Sequence, residues 1–235
     1  MIFDLWETLV DFDPRGAREM LGRVAERAGI GEAEFRESWD ALGNARYVGP
    51  MREHLREFGV AEDALDDVLA LRLEYTRRAL VPRPGAVETL HELRRRGKLL
   101  GMISVCSEEV ERAWPDTELA GLFDAEVFSC SFGACKPEPE IYLACCERLG
   151  VEPAEAVFVG DGANDELGGA RRVGMEAVLI HRPGRDPFWP ELRHWSGPRI
   201  DSGVPERPLH ARIHQCRSRT SGSSATRCCA PWQRR

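Results

Sequence analysis

The sequence has no long apolar run, because no stretch approaches the about 20 residues that a membrane-spanning helix needs. It opens with a short strand-like segment instead of a basic, apolar leader, which predicts that a secretory signal is absent. No Cys/His grouping has the spacing of a zinc finger. These absences favour a cytoplasmic protein that has no membrane partner.

The eight cysteines show no spacing that indicates a disulfide framework. Disulfides are rare in reducing compartments, so we expect thiols in the well-patterned part of the chain. The cysteines concerned are Cys106, Cys130, Cys135, Cys145 and Cys146.

Charge is distributed unevenly along the 235 residues. The whole chain carries −7, whereas residues 205–235 contain seven Arg and one Glu, which leaves −13 on residues 1–204. This acidic balance argues against a nucleic-acid partner. The basic tail, residues 205–235, has no sustained apolar period, so we expect it to be disordered or non-native in sequence.

Residues 13–80 contain no convincing strand and are helical in pattern. The clearest amphipathic helix is the segment that holds Leu65, Val68, Leu69, Leu71, Leu73 and Tyr75. From residue 81 onward, strand and helix patterns alternate. The predicted strands are 99–104, 125–129, 156–160 and 176–180, and the predicted helices between them are 108–114, 138–149 and 166–173. This alternation predicts an α/β fold with a parallel sheet and helices on both faces.

A short apolar strand that ends at Asp4 precedes the strands listed above, and residues capable of chemistry follow the first four strands when it is counted as the first. Asp4 ends the first strand, Ser104 ends the second, and Lys136 lies in the loop after the third. An acidic run, residues 160–166, follows the fourth. In an α/β protein the carboxyl ends of the strands meet at one edge of the sheet, where ligands bind. We therefore expect these groups to form one site.

This order of an Asp, a Ser, a Lys and an acidic cluster resembles the haloacid dehalogenase superfamily of phosphatases and related hydrolases, from residue 2 to about residue 180. The resemblance implies a Rossmann-like core, residues 1–12 and 81–204, with an aspartyl nucleophile and Mg²⁺. It also implies that the helical insert, residues 13–80, is a cap that closes over the active site and selects the substrate. Polar candidates for substrate contact in the insert are Arg46, Tyr47, Arg52 and His54.

The resemblance assigns roles to individual residues. Asp4 would attack phosphorus and form an acyl-phosphate that water hydrolyses. The hydroxyl of Ser104 and the backbone N–H of Val105 would hold a phosphate oxygen. Lys136 would neutralise both the nucleophile and the phosphoryl group. Thr8 would bond either to the backbone or to the phosphate.

The acidic run predicts a cation site, and the resemblance implies that the cation is Mg²⁺, which prefers oxygen ligands. The resemblance implies a ligand set of Asp4, the backbone carbonyl of Trp6, Asp161 and one further acid. That acid is either Asp165 or Glu166, since the family uses both spacings after Asp161.

Trp6 departs from the family pattern, in which a second Asp stands two residues after the nucleophile and serves as general acid. An indole N–H donates a hydrogen bond but does not titrate, so Trp6 cannot take that role. Haloacid dehalogenases of the superfamily carry an aromatic residue here, whereas the acids at 161–166 argue against a metal-independent dehalogenase. Glu7 is a candidate substitute acid, although a neighbouring residue that faces the wrong way is the favoured interpretation.

The sequence therefore predicts a Mg²⁺-dependent hydrolase that acts on the phosphate monoester of a small metabolite. Two alternatives stay open. The chain could be a dehalogenase-like hydrolase, or a catalytically weakened protein that binds a phosphorylated ligand.

Overall fold

The structure is a computed structural model that describes residues 1–181 and 199–201. Its strands are β1 (Ile2–Asp4), β2 (Gly101–Ser104), β3 (Ala125–Phe128), β4 (Val157–Gly160), β5 (Glu176–His181) and β6 (Arg199–Asp201). They form one six-stranded sheet in the order β3-β2-β1-β4-β5-β6. Every pairing between these strands is parallel. The predicted parallel α/β fold is confirmed.

Helices surround the sheet. Those before β2 are α1 (Pro14–Ala28), α2 (Glu32–Ala41), α3 (Met51–Glu57), α4 (Glu62–Ala79) and α5 (Ala86–Arg95). Those after β2 are α6 (Glu108–Ala113), α7 (Ser129–Phe132), α8 (Pro139–Leu149) and α9 (Glu166–Arg172). A 3-10 helix, Gly43–Tyr47, joins α2 to α3.

Helix α1 shows how local sequence sets the bounds of an element. The carboxylate of Asp13 accepts a hydrogen bond from the backbone N–H of Arg15 at 3.1 Å, and Pro14 takes the first helical position. The helix ends at Gly29, whose φ of 69° is a left-handed conformation that glycine adopts without strain.

Adjacent strand residues pack on opposite faces of the sheet, as the two-residue period of a strand requires. Phe3 belongs to a hydrophobic cluster that includes Leu90 of α5, whereas its neighbour Ile2 belongs to a second cluster that includes Ile141 of α8. Both faces of the sheet are therefore covered by helices, which explains why β1, β2 and β4 are buried along their whole length.

Helices α1 to α4 share a third hydrophobic cluster, whose buried members all lie between Val24 and Leu69. The helical insert thus has an apolar core of its own. It is joined to the rest of the protein by backbone contacts such as Gly49 N–H donating to the carbonyl of Cys130 at 3.0 Å. The function of this insert as a cap remains a prediction.

Two regions bear on the predictions for the C-terminal part. Strand β6 was not predicted, and it extends the sheet beyond β5. The basic tail at 205–235 lies outside the described residues, as do residues 182–198.

The five cysteines expected to be thiols are free and buried. Among the described helices, none has the length and apolar character needed to cross a membrane.

Candidate active site

The sheet order places the chemically capable strand ends side by side. Strand β1 lies between β2 and β4, and Asp4 is paired with Ile103, one residue before Ser104. On the other side, Phe3 is paired with Val159, so β4 delivers Asp161 just beyond its last residue, Gly160. The predicted convergence of these strand tips is therefore what the fold produces.

Lys136 reaches this edge from the loop before α8 and is almost completely buried. Its ammonium contacts Oδ1 of Asp4 and lies 2.6 Å from Oε2 of Glu166. Burial by itself would lower the pKa of Lys136, but the charges of Asp4 and Glu166 outweigh this effect and the net direction is upward. Lys136 is consequently a fixed cation beside the candidate nucleophile.

Three carboxylates lie together at this edge, and two of them, Asp4 and Glu166, contact the ammonium of Lys136. Asp4, Asp161 and Glu166 each offer an oxygen, and these oxygens lie within 4.8 Å of one another. Glu166 also accepts a hydrogen bond from the backbone N–H of Gly162 at 2.9 Å. Burial raises the pKa of Glu166 well above its usual value, with Asp4 and Asp161 adding to the rise and Lys136 opposing it. Such a cluster is suited to a divalent cation, which would relieve the repulsion.

Asp165 does not join this cluster, and its inclusion among the metal ligands needs correction. Its carboxylate is exposed and pairs with Arg172 at 2.7 Å. Asn164 and Asp165 adopt left-handed backbone conformations, with φ of 50° and 56°, and α9 begins at the next residue, Glu166. This turn directs Glu166 into the site and leaves Asp165 on the surface.

Three buried oxygens at the site have no hydrogen-bond partner among the described residues. They are Oδ2 of Asp4, Oγ1 of Thr8 and Oγ of Ser104. Buried polar atoms are nearly always paired, so a group of orphaned ones indicates a place that a ligand completes. Oγ1 of Thr8 has no backbone partner within residues 1–181 and 199–201, which favours the phosphate among its two predicted partners.

A cavity of about 920 Å³ opens at the site. From the sheet edge it is lined by Asp4, Trp6, Val105, Lys136, Asp161 and Glu166. Residues of the helical insert complete its wall, and they include Trp39, Arg46, Tyr47 and Arg72. Ser104 and Thr8 are buried beside this lining, each next in sequence to a lining residue, Val105 and Glu7 respectively.

Of the four polar candidates in the insert, Arg46 and Tyr47 line the cavity and the other two do not. Arg52 forms an ion pair with Asp66, and the His54 ring lies 2.9 Å from the carbonyl of Val48. Both therefore support the structure of the insert.

Trp6 and Glu7 occupy the loop that follows β1. The indole of Trp6 packs edge-on against Phe12, with 6.1 Å between ring centroids, and presents no titratable group to the cavity. Glu7 has a left-handed φ of 58°, and its carboxylate accepts a hydrogen bond from the backbone N–H of Phe12 at 2.7 Å. Glu7 thus stabilises its own loop in this structure. The role of the Trp6 carbonyl as a metal ligand stays a prediction.

Arg72 is a cavity residue that the sequence analysis missed. It is 3% exposed and forms an ion pair with Glu109, which is fully buried. Burial would raise the pKa of Glu109, but the guanidinium of Arg72 lowers it and the net direction is downward, so the pair is ionised. The signal was available, because Arg72 lies seven residues after Leu65 and so on the buried face of α4.

Comparison with known proteins bears on this site. A family model described as haloacid dehalogenase-like hydrolase matches residues 1–174. The chain is 29% identical to (S)-2-haloacid dehalogenase 4A of Burkholderia cepacia, over 79% of this chain and 84% of that protein. It is 31% identical to phosphoserine phosphatase of Thermus thermophilus, over 81% of this chain and 91% of that protein.

A solved structure supports the same assignment. The crystal structure of a haloacid dehalogenase-type phosphatase from Thermococcus onnurineus has a TM-score of 0.64 and 28% identity, and the match covers 85% of this chain and 91% of that one. The family match spans β1 to α9, the stretch that brings Asp4, Lys136 and Glu166 together. The chain therefore belongs to the haloacid dehalogenase-like hydrolases.

Proposed function

We propose that this protein is a Mg²⁺-dependent phosphatase that hydrolyses the phosphate monoester of a small molecule through an aspartyl-phosphate on Asp4. The observation that carries the proposal is the charge balance at the sheet edge. Asp4 and Glu166 pair with the ammonium of Lys136, and Asp161 lies close to both of these acids, so three carboxylates share one ammonium and leave negative charge that a divalent cation would balance.

The residues present fit a bound Mg²⁺. Oxygen donors from Asp4, Asp161 and Glu166 would hold the ion, which prefers such ligands and keeps several waters. When bound, Mg²⁺ supplies positive charge that stabilises the transferring phosphoryl group.

The chain's own residues carry the bond changes. Oδ2 of Asp4, the oxygen that Lys136 does not contact, attacks phosphorus while the bond from phosphorus to the leaving oxygen breaks, which forms an acyl-phosphate. The leaving oxygen departs as an anion and takes its proton from water. Water then attacks this intermediate, releasing inorganic phosphate and restoring the carboxylate of Asp4. The orphaned hydroxyls of Thr8 and Ser104 and the N–H of Val105 would hold the non-bridging oxygens.

A dehalogenase-like reaction is the second candidate, and Trp6 is the observation that favours it. With no titratable group at this position, the site is suited to a leaving group that departs without a proton, such as halide. In that reaction Asp4 would displace halide from carbon and form an ester, which water would cleave.

We include the helical insert, residues 13–80, in the proposal as a cap that selects the substrate. Support comes from its separate hydrophobic cluster and from its contribution to the cavity wall. The expected partner is a small phosphorylated molecule and neither nucleic acid nor membrane. A cytoplasmic location is part of the same proposal, and the free thiols of the described cysteines suit a reducing compartment.

The test compares p-nitrophenyl phosphate with a 2-haloacid, each with added Mg²⁺ and with EDTA. We expect release of nitrophenol that Mg²⁺ supports and EDTA abolishes. Halide release that ignores EDTA would instead establish the dehalogenase. If neither substrate turns over and no phosphate can be trapped on Asp4, the protein is a binding protein.

A further inference from the structure

Arg72 is a cation built into the wall of the active-site cavity. It belongs to α4, and its guanidinium lies 4.6 Å above the centroid of the Trp39 ring. The guanidinium of Arg46 lies 5.4 Å from the centroid of the same ring. Two cations therefore flank one aromatic side chain in the cavity that also contains Asp4 and Lys136.

The ion pair with Glu109 leaves the guanidinium partly unsatisfied. Nε of Arg72 donates to Oε1 of Glu109, whereas Nη1 of Arg72 is buried and has no partner among the described residues. A purely structural Arg–carboxylate pair would gain from the two parallel hydrogen bonds that the fork of the guanidinium permits. An orphaned buried donor costs free energy unless a ligand completes it. Oδ2 of Asp4, in the same cavity, is likewise buried and unpartnered.

The charges indicate which ligand group suits Arg72. Glu109 already neutralises part of the guanidinium charge. A doubly charged phosphate at this place would be repelled by the Glu109 carboxylate about twice as strongly as a singly charged carboxylate, whose planar oxygens also match the guanidinium donor. Phosphate in turn suits the more positive surroundings of Lys136 and the metal site.

We propose that Arg72, stacked on Trp39, binds a carboxylate of the substrate, so that the preferred substrates are small phosphorylated carboxylic acids. This inference rests on the proposed phosphatase function and specifies its substrate class. The phosphoryl group lies at Asp4 and the carboxylate at the insert wall, and a cavity of about 920 Å³ accommodates both ends of a small metabolite. Arg72 is thus a specificity-determining residue contributed by the helical insert.

The test uses pairs of substrates that differ in the carboxylate alone. Phosphoglycolate is compared with ethyl phosphate, and 3-phosphoglycerate with glycerol 3-phosphate. For at least one pair we expect kcat/KM to be about tenfold or more higher for the acid, mainly through KM, because a site built to pair with a polar group rejects the analogue that lacks it. Equal rates on both pairs would overturn the inference and leave the phosphatase proposal intact.

Variants separate carboxylate binding from a structural role of the ion pair. Glu109→Gln keeps the guanidinium and should retain the preference for the acid. The double variant Arg72→Gln/Glu109→Gln leaves no unpaired buried charge, and it should lose about tenfold or more on the acid while changing less than about threefold on the neutral ester. Arg52→Gln, on the same insert but outside the cavity, is the control and should behave as wild type. A preference that survives in the double variant would overturn the assignment to Arg72.

Calorimetry on the Asp4→Asn background makes the result independent of turnover. If no phosphate ester is hydrolysed, the phosphatase proposal fails. Tighter binding of phosphoglycolate than of ethyl phosphate, lost in the Arg72→Gln/Glu109→Gln variant, would still support the carboxylate site. Equal binding of the two probes, or binding of neither, would overturn it.

Discussion

Nζ of Lys136 lies 2.6 Å from Oε2 of Glu166, so two side chains that follow different strands of the sheet form one buried ion pair. Since Lys136 also contacts Asp4, a single ammonium links the candidate nucleophile to the candidate metal site. A change in the charge of one carboxylate should therefore alter the electrostatic interactions of the other, because both contact the same cation in surroundings that screen charge poorly.

Asp4→Asn should abolish turnover and leave the fold intact. The amide keeps the shape of the carboxylate but is a far poorer nucleophile. Lys136 retains its partner Glu166, so the variant should fold. The measurements are kcat on an aryl phosphate and the circular dichroism spectrum. Activity above a few per cent of wild type, with an unchanged spectrum, would remove Asp4 from the mechanism.

Glu166→Gln should weaken Mg²⁺ binding by about tenfold or more, because the amide keeps an oxygen but loses the charge that attracts the ion; loss of even an outer-shell partner typically costs about 10–100-fold. The matched control is Asp165→Asn, one position earlier on the exposed side of the turn, which should change Mg²⁺ affinity by less than about twofold. Two readouts apply: the Mg²⁺ concentration that gives half-maximal activity, and the rise in melting temperature on adding Mg²⁺. A larger effect of Asp165→Asn would return Asp165 to the ligand set.

This pair of acids shows where sequence reasoning reaches its limit. Alternation of strand and helix patterns located β1 to β5, and the strand ends located Asp4, Ser104 and Asp161. Counting along the chain could not choose between Asp165 and Glu166, because the choice depends on two left-handed residues that set where α9 begins.

Two other features, β6 and the buried position of Arg72, are not predicted from the sequence, and the reasons differ. Strand β6 spans Arg199–Asp201, where Ile200 is the one apolar residue, so no apolar run marks it as a strand. The apolar residues of α4 define its amphipathic pattern, and they do not by themselves show that Arg72 is buried among them. An Arg on the apolar face of a helix is itself informative, since a buried charge requires a partner or a ligand.

Deleting residues 206–235 should leave both melting temperature and activity unchanged. The deleted segment lacks the apolar periodicity needed to dock on a core, and the cut preserves β6. Thermal unfolding and kcat/KM of the truncated chain provide the measurement. A large fall in melting temperature would show that the tail completes the core.

Trp6 should make the hydrolysis rate depend steeply on the pKa of the leaving group. Because the indole cannot donate a proton to the departing alcohol, aryl and acyl phosphates should react far faster than alkyl phosphates. A series of phosphate esters with graded leaving-group pKa values, assayed as kcat/KM, gives this dependence directly.

Trp6→Asp should flatten the dependence and raise turnover of alkyl phosphates, by at most the about 10²–10⁴-fold that a positioned general acid contributes. The gain will be smaller to the extent that removing the indole from its contact with Phe12 leaves a void and a loosely held carboxylate. Trp6→Phe is the matched control, since it keeps an aromatic ring and adds no acid, and it should retain the steep dependence. If wild type already shows a flat dependence, another residue protonates the leaving group. Glu7 would then be the next to mutate, because it is the nearest acid in the same loop and lines the same cavity.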